Sequence, residues 1–475
     1  MTLYGVYRYP AVSAETQVMD SSRRFQEWDT IVQSSGMIHD SDELNSPLLN
    51  QDKVSAVHNT LSCASCEKSH EINIPQNLCH ECSKPLLAGY PLETLKNHFT
   101  PNLVRHESAD GSRPLSMWKF HEVLPVDSLD ESVSLGEGGT PLLPTIRRGP
   151  FSELTRCLIK DESLNPTASF KSRGMAAAIT RAKSLGISEV ALPSAGNAAG
   201  AAAAYAARAG LPCWVFMPVD TPITNIIEAS ASGAHVVLVK GLIDDCGKLV
   251  REGCERHGWF DLSTLKEPFR IEGKKTMGYE LPFDLFDARE NTRLRLPDCI
   301  IYPTGGGTGL IGMWKAFDEM EQLGWIGPER PRMVVAQASG CAPIVQAWDL
   351  GKTHAERIEN AATVASGLRV PAAIGDFIML RILKESRGTA LAVSDQELLD
   401  AQRELTHYQG VFAAPESGAT WAVAKKLLDR NWLKPHEEII LFNTSTGIKY
   451  SQDPPRDLPV VDPSKTDWSQ ILETT

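Results

Sequence analysis

Long apolar runs are missing from this chain: none of eighteen or more residues occurs in its 475 positions, so no membrane-spanning helix is expected. The opening, MTLYGVYRYPAVSAETQVMDSSRRFQEWDT, has neither the basic start nor the apolar core of a secretory signal. A cytoplasmic location is therefore expected. Excess positive charge is missing too. A net charge of −12 argues against a phosphate-backbone partner, so neither nucleic acid nor membrane is an expected partner. Solenoid-type repeats and low-complexity tracts are absent as well. With 42% apolar and 22% charged residues, the composition is that of a folded chain long enough for two or three domains.

Ten cysteines are present, and without an export signal they read as thiols or metal ligands rather than disulfides. Six are scattered. The other four, Cys63, Cys66, Cys79 and Cys82, form CASC and CHEC, two C-x-x-C knuckles twelve residues apart. Four thiolates so spaced surround Zn²⁺ tetrahedrally, which predicts a small zinc ribbon over 56–92. Four protein ligands leave no open position, so the zinc is expected to be structural. His70 and His80 read as bystanders.

Residues 1–55 are polar and weakly periodic, an extension with little core of its own. After the ribbon, Trp118 and Phe120 of SMWKFHEVLPV are expected to pack on the main body. From about Leu135, short apolar runs bounded by Gly or Pro alternate with helical stretches. Runs at 157–159, 190–192, 213–217, 236–239, 300–302, 333–336 and 439–442 read as buried strands. That alternation predicts an α/β protein with mainly parallel sheets.

Three strand-to-helix turns carry chemistry. In EVALPSAGNAAGAAAAYAARAG, Ser194, Ala195, Gly196 and Asn197 turn the chain into an Ala-rich helix whose free amides can hold a carboxylate. Asn197 either caps that helix or reaches a ring hydroxyl. In CIIYPTGGGTGLIGMW, Gly305, Gly306, Gly307, Thr308 and Gly309 let backbone amides close around a phosphate. No Gly-Lys-Ser/Thr follows, and Leu310 stands where a dinucleotide fingerprint needs glycine, which leaves a single phosphate monoester. In EEIILFNTSTGIKY, a buried strand ends in the hydroxyls Thr444, Ser445 and Thr446. Ligands collect at the carboxyl ends of strands in open α/β sheets, so these turns can converge on Lys171 of NPTASFKSRG. A phosphate monoester beside a lysine, with no acidic metal cluster, is what pyridoxal 5′-phosphate needs.

On KDESLNPTASFKSRG, PSAGNAAGAAAAYAARAG, FRIEGKKTMGYEL, PTGGGTG, NTSTGIKY and the ribbon cysteines, in that family's order, the chain resembles the fold-type II pyridoxal-phosphate enzymes, and within them the threonine synthases. The resemblance spans roughly 60–450. It implies Lys171 as the Schiff-base lysine and catalytic proton carrier, Asn197 at the cofactor's 3′ oxygen, Gly305–Gly309 at its phosphate and Thr444 at its pyridine nitrogen. It also implies a homodimer. The sequence departs from the family pattern at Ala168 (usually Gly), Ser172 (usually Asp) and the TSTGIK segment.

The expected architecture is a large cofactor domain of 93–185 and 300–455, a small domain of 186–299 and a tail of 456–475. The expected reaction is formation of threonine and phosphate from O-phosphohomoserine by elimination and water addition. Its rivals are ammonia loss from threonine, serine or diaminopropionate, or β-replacement on an activated serine; a zinc-ribbon adaptor is the non-enzymatic one. For the amino-acid substrate, Ser194, Ala195 and Gly196 are expected at the carboxylate and Arg173 at a substrate phosphate, with Lys274 or Lys275 as further donors.

Overall fold

Apolar runs bounded by Gly or Pro become the parallel strands of two sheets. The computed structural model describes residues 60–286 and 294–450; the expected extension and tail lie outside the described residues. In chain order the strands are β1 (Thr60–Cys63), β2 (Ser69–His70), β3 (Leu86–Gly89), β4 (Leu142–Pro144), β5 (Arg156–Asp161), β6 (Val190–Pro193) and β7 (Cys213–Pro218). There follow β8 (His235–Val239), β9 (Phe260–Asp261), β10 (Cys299–Pro303), β11 (Arg332–Ala338), β12 (Thr389–Val393) and β13 (Glu438–Asn443). All seven runs read as buried strands fall inside β5, β6, β7, β8, β10, β11 and β13, although β8, at the sheet edge, carries no buried residue.

The larger sheet has the order β12-β11-β10-β13-β5-β4 and the smaller the order β8-β7-β6-β9. Every pairing in both is parallel except that of β4 with β5. CIIYP of β10 and EIILFN of β13 are buried throughout, as strands covered by helices on both faces must be. A separate antiparallel sheet, β2-β1-β3, carries the cysteine knuckles. Trp118 and Phe120 are buried, and Trp118 Nε1 donates to Glu137 Oε1 at 2.6 Å.

The helix Phe269–Asp284 cuts across the expected domain boundary. Although it precedes residue 299, its Ile271, Met277, Tyr279 and Leu281 share a core with Ile300 of β10 and with Leu310, Met313 and Phe317 of the helix Thr308–Gln322. It crosses the helix Lys171–Ser184 so closely that a Cβ on Gly273 would lie 1.9 Å from Arg173 O. On its other side, a Cβ on Gly312 would lie 2.9 Å from Lys275 N. Only glycine allows backbones to approach this far.

That crossing buries charge, and the charge is paired. Arg173 donates to both oxygens of Glu162 (2.7 and 2.8 Å) and both of Glu280 (2.6 and 2.8 Å), and to the hydroxyls of Thr140 and Thr276. Lys160 closes the group on Glu280 (2.8 Å) and Asp284 (2.7 Å). The expectation that Arg173 meets a substrate phosphate is therefore corrected. The side chain is wholly buried, its donors are spent on two carboxylates, and it does not reach the cavity around Lys171. Lys275 is likewise paired, with Glu272 at 2.8 Å and Glu319 at 2.9 Å.

Removing one member of such a group leaves uncompensated buried charge, which costs about 3–5 kcal/mol. Arg173→Met should therefore lower the free energy of unfolding by about that amount in urea titrations. A loss within experimental error would show that the network does not hold the helices together.

Candidate active site

The approach to Lys171 is fixed from both sides. Upstream, Thr167 and Ala168 take left-handed backbone angles, φ 58° and 48°, a region that favours glycine. This gives a physical reason for glycine in the family pattern at 168 and marks the alanine here as strained. Lys449 ties the same turn down, donating to Thr167 O at 2.7 Å and to Glu228 at 2.8 Å. Phe170 N then bonds Thr444 O at 3.0 Å, and Ser169 bridges to Ser445. The end of β13 thereby sets where the Lys171 helix begins.

Lys171 opens on a cavity of about 580 Å³ whose lining includes Ser194, Ala195, Gly196, Asn197, Gly305, Gly306, Gly307, Thr308, Gly309, Thr444 and Ser445. Every site residue expected from the sequence outside the ribbon is in that wall except Arg173 and the further donors Lys274 and Lys275. Ser172 is not in it either; its hydroxyl turns to Thr167 Oγ1 (2.9 Å) and to Pro166 O. Lys171 Nζ lies 4.3 Å from the Phe170 ring centroid. Among the described residues no hydrogen bond or ion pair holds it. Burial foremost, then the Arg270 guanidinium, push Lys171 from 10.5 down to about 7, with Glu416 pulling the other way. A substantial fraction of the amine is then unprotonated at neutral pH.

The glycine loop is a cradle that side chains would fill. Gly307 has φ +79°, and a Cβ there would lie 2.1 Å from Met379 Sδ; one on Gly309 would lie 1.9 Å from the Tyr302 hydroxyl oxygen. The helix Thr308–Gln322 starts directly behind the loop, so its free amides and positive end face the cradle. On the opposite turn, Gly196 rather than Asn197 is the N-cap of the helix Asn197–Ala209. Asn197 therefore does not serve as the cap, and its Oδ1 is buried without a partner.

Sequence reasoning missed two polar groups of this wall. Glu416 takes Gly367 N (2.7 Å) and the Tyr450 hydroxyl (2.6 Å) on Oε1, while its Oε2 has no partner. Burial lifts its carboxyl above the usual range. Ser366 Oγ is also buried and unpartnered. Only the contrast between a carboxylate and the small residues beside it in APESGAT could have marked Glu416.

These features fit pyridoxal phosphate: a glycine cradle for a phosphate, a lysine poised near neutrality, and an orphaned polar atom at Asn197 for a ring substituent. Residues 133–445 match the pyridoxal-phosphate dependent enzyme family. A threonine synthase of Methanocaldococcus jannaschii is 32% identical over 82% of this chain and 92% of the relative. One of Mycobacterium tuberculosis is 34% identical over 74% and 94% respectively. Among solved structures, a T.th. threonine deaminase superposes with a TM-score of 0.53 at 25% identity, over 66% of this chain and 94% of that one. Maize serine racemase, at 20% identity and a TM-score of 0.54 over 70% and 92%, shares the fold. Motifs, fold and relatives agree: the chain belongs to the pyridoxal-phosphate dependent enzymes, in their threonine synthase-like branch.

Proposed function

We propose that this lyase converts O-phosphohomoserine to threonine and phosphate. The observation that carries the reading is the meeting, in one cavity, of a lysine held near neutrality, a phosphate cradle and an amide-rich helix start, in a chain whose relatives bear the name threonine synthase. Gly305–Gly309 would hold the phosphate of pyridoxal phosphate, which when bound would supply an electron sink for charge developing at the amino acid's α carbon. Thr444 would offer the ring nitrogen a hydroxyl rather than a carboxylate, which suits elimination and replacement over transamination. Asn197, whose Oδ1 has no partner, would meet a substituent of the ring. The backbone of Ser194, Ala195 and Gly196 receives the substrate carboxylate at the helix N-terminus. Lys171 takes the proton from the α carbon and returns protons later in the cycle, a role for which an amine titrating near 7 is suited.

A second reading is ammonia loss from a hydroxy or diamino acid. It is supported by the fold shared with the T.th. threonine deaminase and by the removal of Arg173 and Lys275 as donors for a second phosphate. The reading also includes a cytoplasmic homodimer. The described residues hold no helix long and apolar enough to cross a membrane, and the exposed pair Ile223 and Ile227 on one helix face supports an apolar contact surface. Product analysis separates the two reactions. O-Phosphohomoserine should give threonine and phosphate in equal amounts, while threonine, serine and diaminopropionate give little keto acid. Lys171→Ala should abolish turnover. Keto acid without threonine would move the assignment to the ammonia-lyase.

Zinc in the ribbon is part of the same proposal. The four Sγ atoms of Cys63, Cys66, Cys79 and Cys82 lie within 4.8 Å of one another, with contacts of 3.4–3.6 Å. A tetrahedron with Zn–S bonds of about 2.3 Å has edges of about 3.8 Å, so the thiols fit that ion. The ribbon core includes Phe269, the first residue of the glycine-crossed helix, which makes a structural role concrete. Cys66→Ser should release about one zinc per chain, read by metal analysis, and lower the melting temperature while the folded fraction keeps its turnover. Full zinc content in that variant would contradict the site.

A further inference from the structure

Lys274 is a buried amine that shares the Phe170 ring with Lys171, and the mechanism above does not use it. It lies on the helix Phe269–Asp284 and is wholly buried. Gly174 on the Lys171 helix leaves it room: a Cβ there would come within 2.8 Å of Lys274 Cε. Its Nζ donates to Thr308 Oγ1 at 2.8 Å, and among the described residues no carboxylate forms an ion pair with it. Its neighbour Lys275, by contrast, has two. One turn earlier, the buried Arg270 has Nε and Nη2 without partners. Glu267, the acid of this cluster, spends its two oxygens on the backbone amides of Phe269 and Arg270. Arg270 and Lys274 thus share a buried region, beside the half-buried Lys171, with too little negative charge. Such a region is costly to charge unless an anion enters.

We infer that Lys274 is a ligand of the phosphate held by the glycine loop, uncharged when no anion is bound and an ammonium when a phosphate dianion is, so that cofactor loading takes up a proton. The inference rests on the reading that the loop receives the cofactor's phosphate; Thr308, the partner of Lys274, is a member of that loop. Burial first, then the Arg270 and Lys171 charges, hold the Lys274 amine well below the ordinary lysine range, and Glu267 opposes them. The Thr308 helix faces it with a hydroxyl alone. A dianion within hydrogen-bond reach reverses the balance and raises the amine's proton affinity. One N–H bond forms at Nζ, and the proton comes from solvent. The sign follows: the anion binds the protonated form, so phosphate affinity falls as pH rises above neutrality.

The test uses the full chain freed of cofactor and two probes that cannot react with Lys171, pyridoxine 5′-phosphate and pyridoxine. Titration calorimetry in buffers of different ionisation enthalpy should show uptake of about one proton per pyridoxine 5′-phosphate above neutrality, and none with pyridoxine. Lys274→Met should bind pyridoxine 5′-phosphate about ten-fold or more weakly, without proton uptake, and pyridoxine as before. Lys274→Arg, always charged, should keep phosphate affinity and lose the uptake. Equal weakening for both probes in the Met variant, or unchanged uptake in the Arg variant, would overturn the inference. If the Met variant does not fold, proton uptake in the unmodified protein and in the Arg variant decides. Failure of the unmodified protein to bind either probe would sink the cofactor reading as well. Phosphate-selective binding without proton uptake would sink this inference alone.

Discussion

Everything at this site depends on three helices meeting at glycine contacts. Gly174, Gly273 and Gly312 let the helix Phe269–Asp284 lie against the Lys171 helix on one side and the Thr308 helix on the other, at distances no Cβ tolerates. Packing this close excludes water, and the exclusion has two outcomes. Where acids face the bases, as for Arg173 between Glu162 and Glu280, the charges persist as a buried lock. Where no carboxylate among the described residues pairs with the base, as for Lys171 and Lys274, burial drives the amines toward their uncharged form. One packing constraint thus produces both the rigid frame and the reactive amine.

The cavity wall follows from the same frame. The Thr308 helix aims its amino end at the glycine loop, the Asn197 helix aims its own at the turn 194–197, and β13 ends where Phe170 is bonded. The cysteine ribbon bears on this frame through Phe269. A metal held by the four thiols would thereby stabilise the helix that carries Arg270 and Lys274.

Much of this was legible in the sequence because the signals are local. Glycine-bounded apolar runs marked the principal strands, the GGGTG loop was singled out and lines the cavity, and the C-x-x-C spacing brought four thiols together. What was not legible depends on residues far apart. Arg173 looked like a free donor because its acids stand 11 and 107 positions away. Phe269–Asp284 read as part of the small domain because sequence order placed it there, whereas its apolar face is spent on the core of the larger sheet. The strand β12 escaped notice because two of the five residues of TALAV are alanines, which read as readily as helix. Glu416 shows in sequence only as a carboxylate among small residues, since its effect comes from an oxygen left unpartnered in the folded wall.

The central claim is that Lys171, which lines the cavity, and not the wholly buried Lys274 nearby, is the amine that carries the cofactor. The measurement that tests it most directly is borohydride reduction of the pyridoxal-phosphate-loaded protein, followed by proteolysis and mass mapping of the modified peptide. The account predicts one pyridoxyl group per chain, on Lys171. Modification at Lys274, or at neither lysine in protein that has bound the cofactor, would contradict it.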